Sequence, residues 1–263
     1  MQKHNLEKLQ TINSKVVIDI PIFIIHLTGN TQRLQNIYTQ LQSISSTNTY
    51  ILHNHGYKKF VMNEICNSRF DLIHAFIKIF EFCSVNHTNQ NILIFEDDFE
   101  LNIEPANFYK IYKNEIEPFL FKADLYLLGV FPFLLFGDTH NRALLTGGMH
   151  AVIYSPKYIK KILNLKLILK ADVYKHINDW DVFSLFEKSR YCYKFPLFCK
   201  KITETENYKN WVGFYGLTDI FKKLVKCYEL DKNFKNYKQM YALAHLSFFI
   251  LMIIFFSIIF LKI

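Results

Sequence analysis

The sequence predicts one α/β domain with a largely parallel sheet, followed by a single C-terminal helix that spans a membrane. Short apolar segments alternate with segments of helical spacing along most of the chain, which is the pattern of strands joined by helices. Roughly 240 residues lie outside the apolar tail, enough for one domain with its own core. Residues 242–261 carry no formal charge, so this tail is expected to lie in lipid rather than in water.

Strand and helix patterns alternate in the N-terminal part of the chain. Leu34, Ile37 and Leu41 recur at helical spacing, and residues 92–95 form the continuous apolar run of a buried strand. Pro21 is expected near the start of the first strand or at a bulge, because proline cannot donate to a sheet ladder. The predicted elements are strands at 16–27, 49–53 and 92–95, a turn at 28–30, and helices at 32–43 and 68–82.

The alternation continues towards the C-terminus. Pro156 follows Ser155 at the first position of a predicted helix, where a missing N–H is tolerated. Asp179 or Asp181 could open a further helix. The predicted strands are 123–128, 149–154 and 192–198, the last broken at Pro196, and one more helix is predicted at 107–115. Ligands of such sheets bind at the carboxyl ends of the strands, so a site is expected there.

Three consecutive carboxylates, Glu96, Asp97 and Asp98, follow the apolar run at 92–95 directly. Adjacent anions repel one another unless a cation or strong donors compensate. Mg²⁺ and Mn²⁺ prefer carboxylate oxygens, often together with substrate phosphates. The sequence therefore predicts a divalent metal site at the end of a core strand. The alternative is a solvated acidic turn, which is common in loops.

The C-terminal segment 241–261 has the length and composition of a membrane span. A helix of 20 residues rises about 30 Å, the thickness of the hydrocarbon core. The alternative is a buried core helix. The flanking lysines are Lys222, Lys223, Lys226, Lys232, Lys235 and Lys238 before the span, and Lys262 after it. Excess positive charge marks the cytoplasmic flank, so we expect a single-pass C-terminal anchor with the domain on the cytoplasmic side.

Composition and the N-terminus support the same organisation. Residues 1–15 are polar, and no apolar core of a signal peptide is present. The predicted divisions are therefore 1–15, a domain at 16–215, a basic juxtamembrane segment at 216–240 and the span at 241–261. The formal net charge of +8 is expected to favour anionic headgroups. No Arg/Lys-rich block with interleaved aromatics is present, which disfavours nucleic-acid binding. The five cysteines have no metal-binding spacing and are expected to be reduced.

Five segments, in this order, are similar to one enzyme family. They are residues 22–27 followed by Arg33, residues 70–74 ending in His74, residues 93–98, residues 124–129, and residues 146–155 with Gly147, Gly148 and His150. Asp179 and Asp181 follow where that family places a further aspartate. The chain thus resembles the lipopolysaccharide-type glycosyltransferases of family 25, which include bacterial and procollagen galactosyltransferases. It departs from them at Ile73, where the family has a serine.

The resemblance implies a GT-A fold and an inverting transfer from a nucleotide-sugar donor, such as UDP-galactose or UDP-glucose, to a glycan or protein acceptor. It also implies a divalent metal, Mn²⁺ or Mg²⁺, with Glu96 and Asp98 as ligands. The expected donor-binding residues are Arg33, His74, Glu96, Asp97, Gly147, Gly148 and His150. An inverting transfer needs a base for the acceptor hydroxyl. The candidates are Asp181, whose apolar neighbours would raise its pKa, and Asp179.

Each of these residues also has a purely structural interpretation. Asp179 could cap a helix, Arg33 could be a solvated helix charge, and His150 could be a hydrogen-bonded strand histidine. Two other functions also remain open for the whole chain. One is a metal-dependent phosphate-ester hydrolase or nucleotidyltransferase that uses the same carboxylates. The other is a non-catalytic membrane adaptor with a transferase-derived fold.

Overall fold

The computed structural model describes residues 4–10, 12–59, 64–200 and 235–260, together with Lys223 and Cys227. Its strands are β1 (His4–Lys8), β2 (Val16–Ile18), β3 (Ile22–Leu27), β4 (Ile44–Ser46), β5 (Thr49–Asn54), β6 (Ile92–Glu96), β7 (Phe99–Leu101), β8 (Leu125–Phe136), β9 (His140–Tyr154), β10 (Arg190–Tyr193) and β11 (Phe198–Lys200). Its α-helices are α1 (Thr31–Leu41), α2 (Ser68–Asn86), α3 (Pro105–Ile111), α4 (Pro156–Leu169), α5 (Val173–Ile177), α6 (Trp180–Ser184) and α7 (Lys235–Phe260).

A mixed seven-stranded sheet forms the centre of the molecule, in the order β1-β5-β3-β6-β9-β10-β8. Strands β5, β3 and β6 are mutually parallel, and β8 is parallel to β10. Strands β1 and β9 run in the opposite direction, so five of the seven strands point the same way. The predicted α/β class and the dominant strand direction are confirmed, and the antiparallel β9 was not expected.

Both faces of the sheet are covered by helices, because side chains alternate along each strand. Phe23 and Ile25 belong to the core beneath α2, α4, α5 and α6, whereas Ile22 and Ile24 belong to the core beneath α1 and α3. All four of these side chains are at most 6% exposed. Burial on both faces explains why β3 is an unbroken apolar run rather than an alternating one.

The predicted strand at 16–27 is two strands rather than one. Residues 16–18 form β2 and pair in parallel with β4 in a separate small sheet, and β3 starts only at Ile22. Pro21 lies between them, and its carbonyl accepts a hydrogen bond from Leu93 N. A proline here has no N–H to donate, so the chain changes sheet at this point.

Strands β8 and β9 form a long antiparallel hairpin that extends well beyond the predicted segments 123–128 and 149–154. The register shifts at several positions, one of them between Pro132 and Leu134. A β-bulge of this kind accommodates a proline inside a strand pair. The hairpin reaches Phe136 before it turns at residues 137–139.

Other predicted elements differ mainly in their ends. The polar segment 1–15 contributes the edge strand β1, paired with β5. The helix predicted at 107–115 starts at Pro105 and leaves regular α-helical geometry after Ile111, as one π turn and one 3₁₀ turn. Helix α6 is a short five-residue helix. The broken strand around Pro196 is observed as β10 and β11.

Helix α7 has two parts with different surroundings. Its first turns pack against the hairpin, and Tyr237, Met240, Tyr241 and Ala244 are buried. Beyond these turns its large apolar side chains are mostly exposed, for example Ile253 at 65%. Residues 236–255 are long and apolar enough to cross a membrane, and no other helix of the described residues is. Most of the predicted juxtamembrane segment 216–240 lies outside the described residues.

Candidate functional site

The carboxyl ends of β3 and β6 meet at one edge of the sheet, and the acidic residues lie in the turn that leaves β6. Ile25 is in register with Glu96, and residues 97–98 connect β6 to β7. Phe95 precedes this turn and Phe99 follows it, and their rings stack on each other with centroids 4.0 Å apart. Asp97 and Asp98 are 4% and 3% exposed, so the turn is buried rather than solvated.

Asp97 joins the two strand ends. Its Oδ2 accepts a hydrogen bond from Leu27 N at 3.1 Å and lies 3.2 Å from His26 Nδ1, and its Oδ1 accepts one from Arg33 Nη1 at 2.5 Å. Burial alone would raise the pKa of Asp97, but these donors hold it below its ordinary value. The side chain is therefore an ionised structural anchor of the site. Arg33, on α1, is 15% exposed and is not a solvated helix charge.

A lysine that the sequence analysis did not select lies among the carboxylates. Lys200 Nζ is 2.5 Å from Glu96 Oε2 and 3.5 Å from Asp98 Oδ2. Lys200 ends β11, and its antiparallel pairing with Phe99 on β7 places it beside the acidic turn. Burial alone would lower the pKa of Lys200, but Asp98, Glu96 and Asp181 hold it above its ordinary value. The ammonium therefore stays charged.

Glu96 and Asp98 share this cation, but their oxygens are not equally satisfied. Asp98 Oδ2 also lies 3.6 Å from Arg33 Nη2, whereas Asp98 Oδ1 is buried and finds no hydrogen-bond partner among the described residues. Burial and neighbouring acidic charge raise the pKa of Asp98, against the opposing effect of Lys200. Burial also raises the pKa of Glu96 to about 7. Lys200 acts to lower this pKa, and the charges of Asp98 and Asp181 act to raise it. One buried acceptor oxygen is thus left for a ligand.

Asp179 and Asp181 have separate positions and contacts. Asp179 is the N-cap of α6, and its Oδ1 accepts a hydrogen bond from Val182 N at 3.1 Å, as the structural interpretation predicts. Asp181 Oδ2 accepts a hydrogen bond from Gly148 N at 2.6 Å, and its Oδ1 accepts a long one from Met149 N at 3.4 Å. Burial and the charge of Asp179 raise the pKa of Asp181, whereas these N–H groups and Lys200 oppose the rise. Asp181 is the aspartate that belongs to the cluster.

The glycine pair acts through its backbone. Gly148 has a φ of +62°, and a Cβ there would lie 2.4 Å from the Phe131 ring. Only glycine combines this backbone with that close approach. The Gly148 N–H is thereby directed at Asp181. Gly147 has no such close contact, because a Cβ there would lie 3.7 Å from Phe133.

His150 is fully buried and packs over Gly129. Its Nδ1 lies 2.7 Å from Gly148 O and its Nε2 lies 3.3 Å from Phe198 O. Burial, and then the charge of Lys200, lower the pKa of His150 to about 4, so the ring is neutral at pH 7. Because a neutral imidazole carries one N–H, the ring donates to only one of these two carbonyls. His150 is thus a buried strand histidine whose ring lies between β9 and β11.

His74 makes its described contacts at another part of the sheet edge. Its Nδ1 lies 2.7 Å from His4 Nε2 on β1, and its ring packs against Tyr174 on α5. It is 6% exposed. Direct contacts thus join Arg33, Asp97, Asp98, Lys200 and Glu96, and a separate hydrogen bond joins Gly148 to Asp181. The charge of Asp181 acts on Glu96 and Lys200, whereas His74 contacts a different set of side chains. Its predicted role in donor binding stays a prediction.

The predicted metal site does not fit the residues as they are arranged. Lys200 lies between Glu96 and Asp98, and Arg33 faces the same oxygen of Asp98. Within the described ranges, no three His, Cys, Asp or Glu side chains are grouped so as to hold a metal. Among the described residues of this cluster, only Asp98 Oδ1 is a buried acceptor without a partner, and the carboxylate oxygens that would hold the ion already face two cationic side chains.

Comparisons with known proteins give a weak structural likeness. No protein-family model and no curated protein sequence matches the chain. Among solved structures, the chain is similar to a glycosyltransferase involved in the glycosylation of the major capsid of PBCV-1. The identity is 8% and the TM-score is 0.40, with 77% of this chain and 100% of that chain covered. A likeness at this level does not assign a family, so the function must be inferred from the site itself.

Proposed function

We propose that this chain is a glycosyltransferase that moves a hexose from a nucleotide-sugar to a hydroxyl of a glycan or protein, with inversion at the anomeric carbon. The observation that carries the proposal is the buried cluster of Glu96, Asp98, Lys200 and Asp181 at the carboxyl ends of β3 and β6. In the resemblance to family 25, the same acidic turn belongs to a GT-A fold, and we propose that fold for the mixed α/β body.

The chemistry of the cluster suits a ligand that carries both phosphates and hydroxyl groups. Lys200 can donate to phosphate oxygens, because an ammonium has three N–H groups. Asp98 Oδ1 is a buried acceptor without a partner, and a sugar or ribose hydroxyl would satisfy it. A nucleotide-sugar presents both kinds of group within one molecule, such as UDP-galactose or UDP-glucose.

Asp181 is the proposed base. Its oxygens accept two backbone hydrogen bonds and keep further acceptor capacity, because a carboxylate has about four lone-pair sites. In the transfer, the acceptor oxygen forms a bond to the anomeric carbon and its proton goes to Asp181. The bond from that carbon to the phosphate oxygen breaks, and both electrons leave with the nucleoside diphosphate. A raised pKa brings Asp181 closer to the value that favours this proton transfer.

We also propose that α7 anchors the enzyme in a membrane with the body on the cytoplasmic side. The exposed apolar part of α7 supports the anchor, and the lysines that precede it in the sequence support the orientation. The acceptor would then be a glycan or protein available at that membrane face. We propose no role for the divalent metal that the resemblance implies, because Lys200 and Arg33 already face the carboxylate oxygens that would hold it.

A panel of nucleotide-sugars tests the proposal. Full-length protein in detergent micelles should release a nucleoside diphosphate slowly from one member of the panel, and faster when the acceptor is present. Asp181→Asn should lower kcat by about 10²- to 10⁴-fold, the usual contribution of a general base. Asp179→Asn is the matched control, because asparagine also caps helices, and we expect its kcat to stay close to wild type.

The alternatives give different results in the same assay. A protein that ignores every nucleotide-sugar but cleaves simple phosphate esters would be a hydrolase. One that does neither, with its fold intact, would be an adaptor. If Asp179→Asn abolishes transfer while Asp181→Asn does not, the assignment of the base is wrong.

A further inference from the structure

A lysine ammonium lies at the position where the acidic turn would hold a metal. Lys200 Nζ is within 2.5 Å of Glu96 Oε2 and 3.5 Å of Asp98 Oδ2, the two predicted ligands. Its side chain is 15% exposed, so Lys200 is largely enclosed by the protein. A cation at this position already provides the compensation that adjacent carboxylates require.

The position of Lys200 is fixed from three sides. Pairing of β11 with β7 sets its register against the acidic turn. The carbonyl of Phe198, two residues earlier on β11, lies 3.3 Å from His150 Nε2. The carbonyl of Lys200 itself accepts a hydrogen bond from Tyr237 Oη, in the first turn of α7, at 3.4 Å. Lys200 is therefore held by the fold at the site, unlike a mobile surface lysine.

The ammonium also has donor capacity to spare. Glu96 accepts a hydrogen bond from one of its three N–H groups, and Asp98 Oδ2 lies 3.5 Å away as an ion pair. This leaves N–H capacity for a phosphate oxygen while the Glu96 contact is kept. Arg33, paired with Asp97 and near Asp98, adds a second positive charge, and the two side chains together carry the charge of one divalent ion.

We propose that Lys200, supported by Arg33, takes the place of the divalent metal, so that this site binds a nucleoside diphosphate without any metal ion. This inference rests on the proposed function and makes it more specific. As the bond to the anomeric carbon breaks, negative charge grows on the diphosphate, and Lys200 stabilises it by donating to a phosphate oxygen. No oxidant, reductant or further reactant is involved.

Binding of UDP, GDP and CDP to the full-length protein in detergent micelles tests this inference by isothermal titration calorimetry. Each nucleotide is titrated in excess EDTA and again in excess MnCl₂. For the nucleotide that binds best, we expect the two dissociation constants to agree within about threefold, because the cation is part of the protein. This comparison uses the wild-type chain alone, so it holds even where a variant fails to fold.

Variants then assign the effect to Lys200. Lys200→Gln should weaken binding in EDTA by about ten- to hundredfold, the usual loss for a hydrogen bond to a charged group. Lys200→Arg keeps the charge and should recover most of that loss. Lys194→Gln is the matched control, because Lys194 pairs with Glu115 away from the cluster, and we expect no change in affinity.

The possible failures are distinguishable. If the wild-type protein binds in MnCl₂ but loses binding in EDTA, the metal-free site is overturned while the proposed transferase stands. An unchanged affinity of a folded Lys200→Gln variant would also overturn the inference. If no nucleotide binds under either condition, both the proposed function and this inference are wrong.

Discussion

Two adjacent aspartates in the acidic turn have different roles, and the difference lies in the partners of their oxygens. Both oxygens of Asp97 have donors, from Arg33, His26 and Leu27. Asp98 is equally buried but leaves Oδ1 without a partner. One residue therefore stabilises the fold, and the other is available to a ligand at some cost in stability. The sequence sets Glu96 and Asp98 apart as predicted metal ligands and leaves Asp97 as a donor-binding residue, and only the structure shows the structural contacts of Asp97.

We expect Asp97→Asn to lower the free energy of unfolding by about 3–5 kcal/mol, because it leaves a buried arginine without its partner. Asp98→Asn should change it by only about 1 kcal/mol in either direction, since the raised pKa of Asp98 indicates that its ionised form is poorly stabilised. Asp98→Asn should instead weaken nucleotide-sugar binding. Urea unfolding followed by tryptophan fluorescence, and donor titration, measure the two effects. Equal stability of the two variants would contradict this division of roles.

His150 gives the fold a dependence on acidic pH. Its pKa is about 4 in the native state, because the ring is fully buried, against an ordinary value near 6.5 in the unfolded chain. Above pH 6.5 both states are neutral, and below it the unfolded chain binds a proton that the native state does not. The contribution of neutral His150 to the free energy of unfolding is therefore fully present above pH 6.5. About 3 kcal/mol of it is lost as the pH falls towards 4.

His150→Gln tests this contribution, since glutamine can still donate to a backbone carbonyl but does not titrate. Glu96, whose pKa is raised to about 7, changes stability in the opposite direction over an overlapping range. Glu96 is present in both proteins, so its effect is removed when the unfolding free energy of the variant is subtracted from that of the wild type. We expect this difference to move in favour of the variant as the pH is lowered from 6.5 to 4. A difference that does not depend on pH would show that His150 is already charged in the native state or not buried.

At the residue level, the acidic turn was predictable because three carboxylates directly follow an apolar run. Lys200 was not, because a lysine at the end of a short strand has no distinguishing pattern. Its role depends on the pairing of β11 with β7, a contact between residues about a hundred positions apart. Asp179 was the favoured cap in the sequence, and the N-cap of α6 confirms it, whereas the role of Asp181 as the base stays a prediction.

At the level of elements, the hairpin β8–β9 links the core of the sheet to both the site and the C-terminal helix. Its β9 strand carries Gly148 and His150, and its β8 strand carries Phe131, which packs between Gly148 and Tyr237. Strand β9 is antiparallel to β6 and so brings the backbone of Gly148 to the same edge as Glu96. The register of this hairpin therefore sets the position of Asp181.

Gly148→Ala should disturb this register. Its φ of +62° is unfavourable for alanine, and the added Cβ would overlap the Phe131 ring. We expect a loss of about 1–3 kcal/mol in unfolding free energy, from the backbone and the contact together. Nucleotide-sugar transfer should fall as well, because the backbone N–H of residue 148 that donates to Asp181 would be displaced. Gly147→Ala is the matched control, with an ordinary contact distance of 3.7 Å, and thermal melts of the two variants should differ clearly.

The same elements explain where prediction from the sequence stopped. Segments with one unambiguous period, such as α2 and β6, were predicted within a few residues. The two strands of the hairpin were predicted separately and too short, the first ending at Gly129, because bulges in the register are invisible without the partner strand. The strand at 16–27 was predicted too long, because the change of sheet at Pro21 depends on tertiary pairing with β4.

At the level of the whole molecule, helix α7 runs continuously from the body into the predicted membrane span. The buried side chains Tyr237, Met240, Tyr241 and Ala244 come from the start of the same helix whose later turns are exposed and apolar. Near the tip of the hairpin, Phe136 packs against Phe248, with ring centroids 4.7 Å apart. The helix is thus part of the core at one end and a candidate anchor at the other.

This arrangement predicts where the chain can be shortened. A protein ending at His245 keeps all four buried side chains of α7 and loses most of the exposed apolar segment, so it should be folded and recovered without detergent. A protein ending at Met240 also loses Tyr241 and Ala244, both 2% exposed. Removing a buried aromatic side chain costs about 3–5 kcal/mol, so this shorter protein should melt at a clearly lower temperature or aggregate. Its transfer activity should also fall, because the end of α7 that holds Lys200 would fray.

Circular dichroism melts and donor titration of the two truncated proteins provide the measurement. Identical melting and binding would mean that α7 does not pack on the body beyond Met240 and that the anchor is independent of the site.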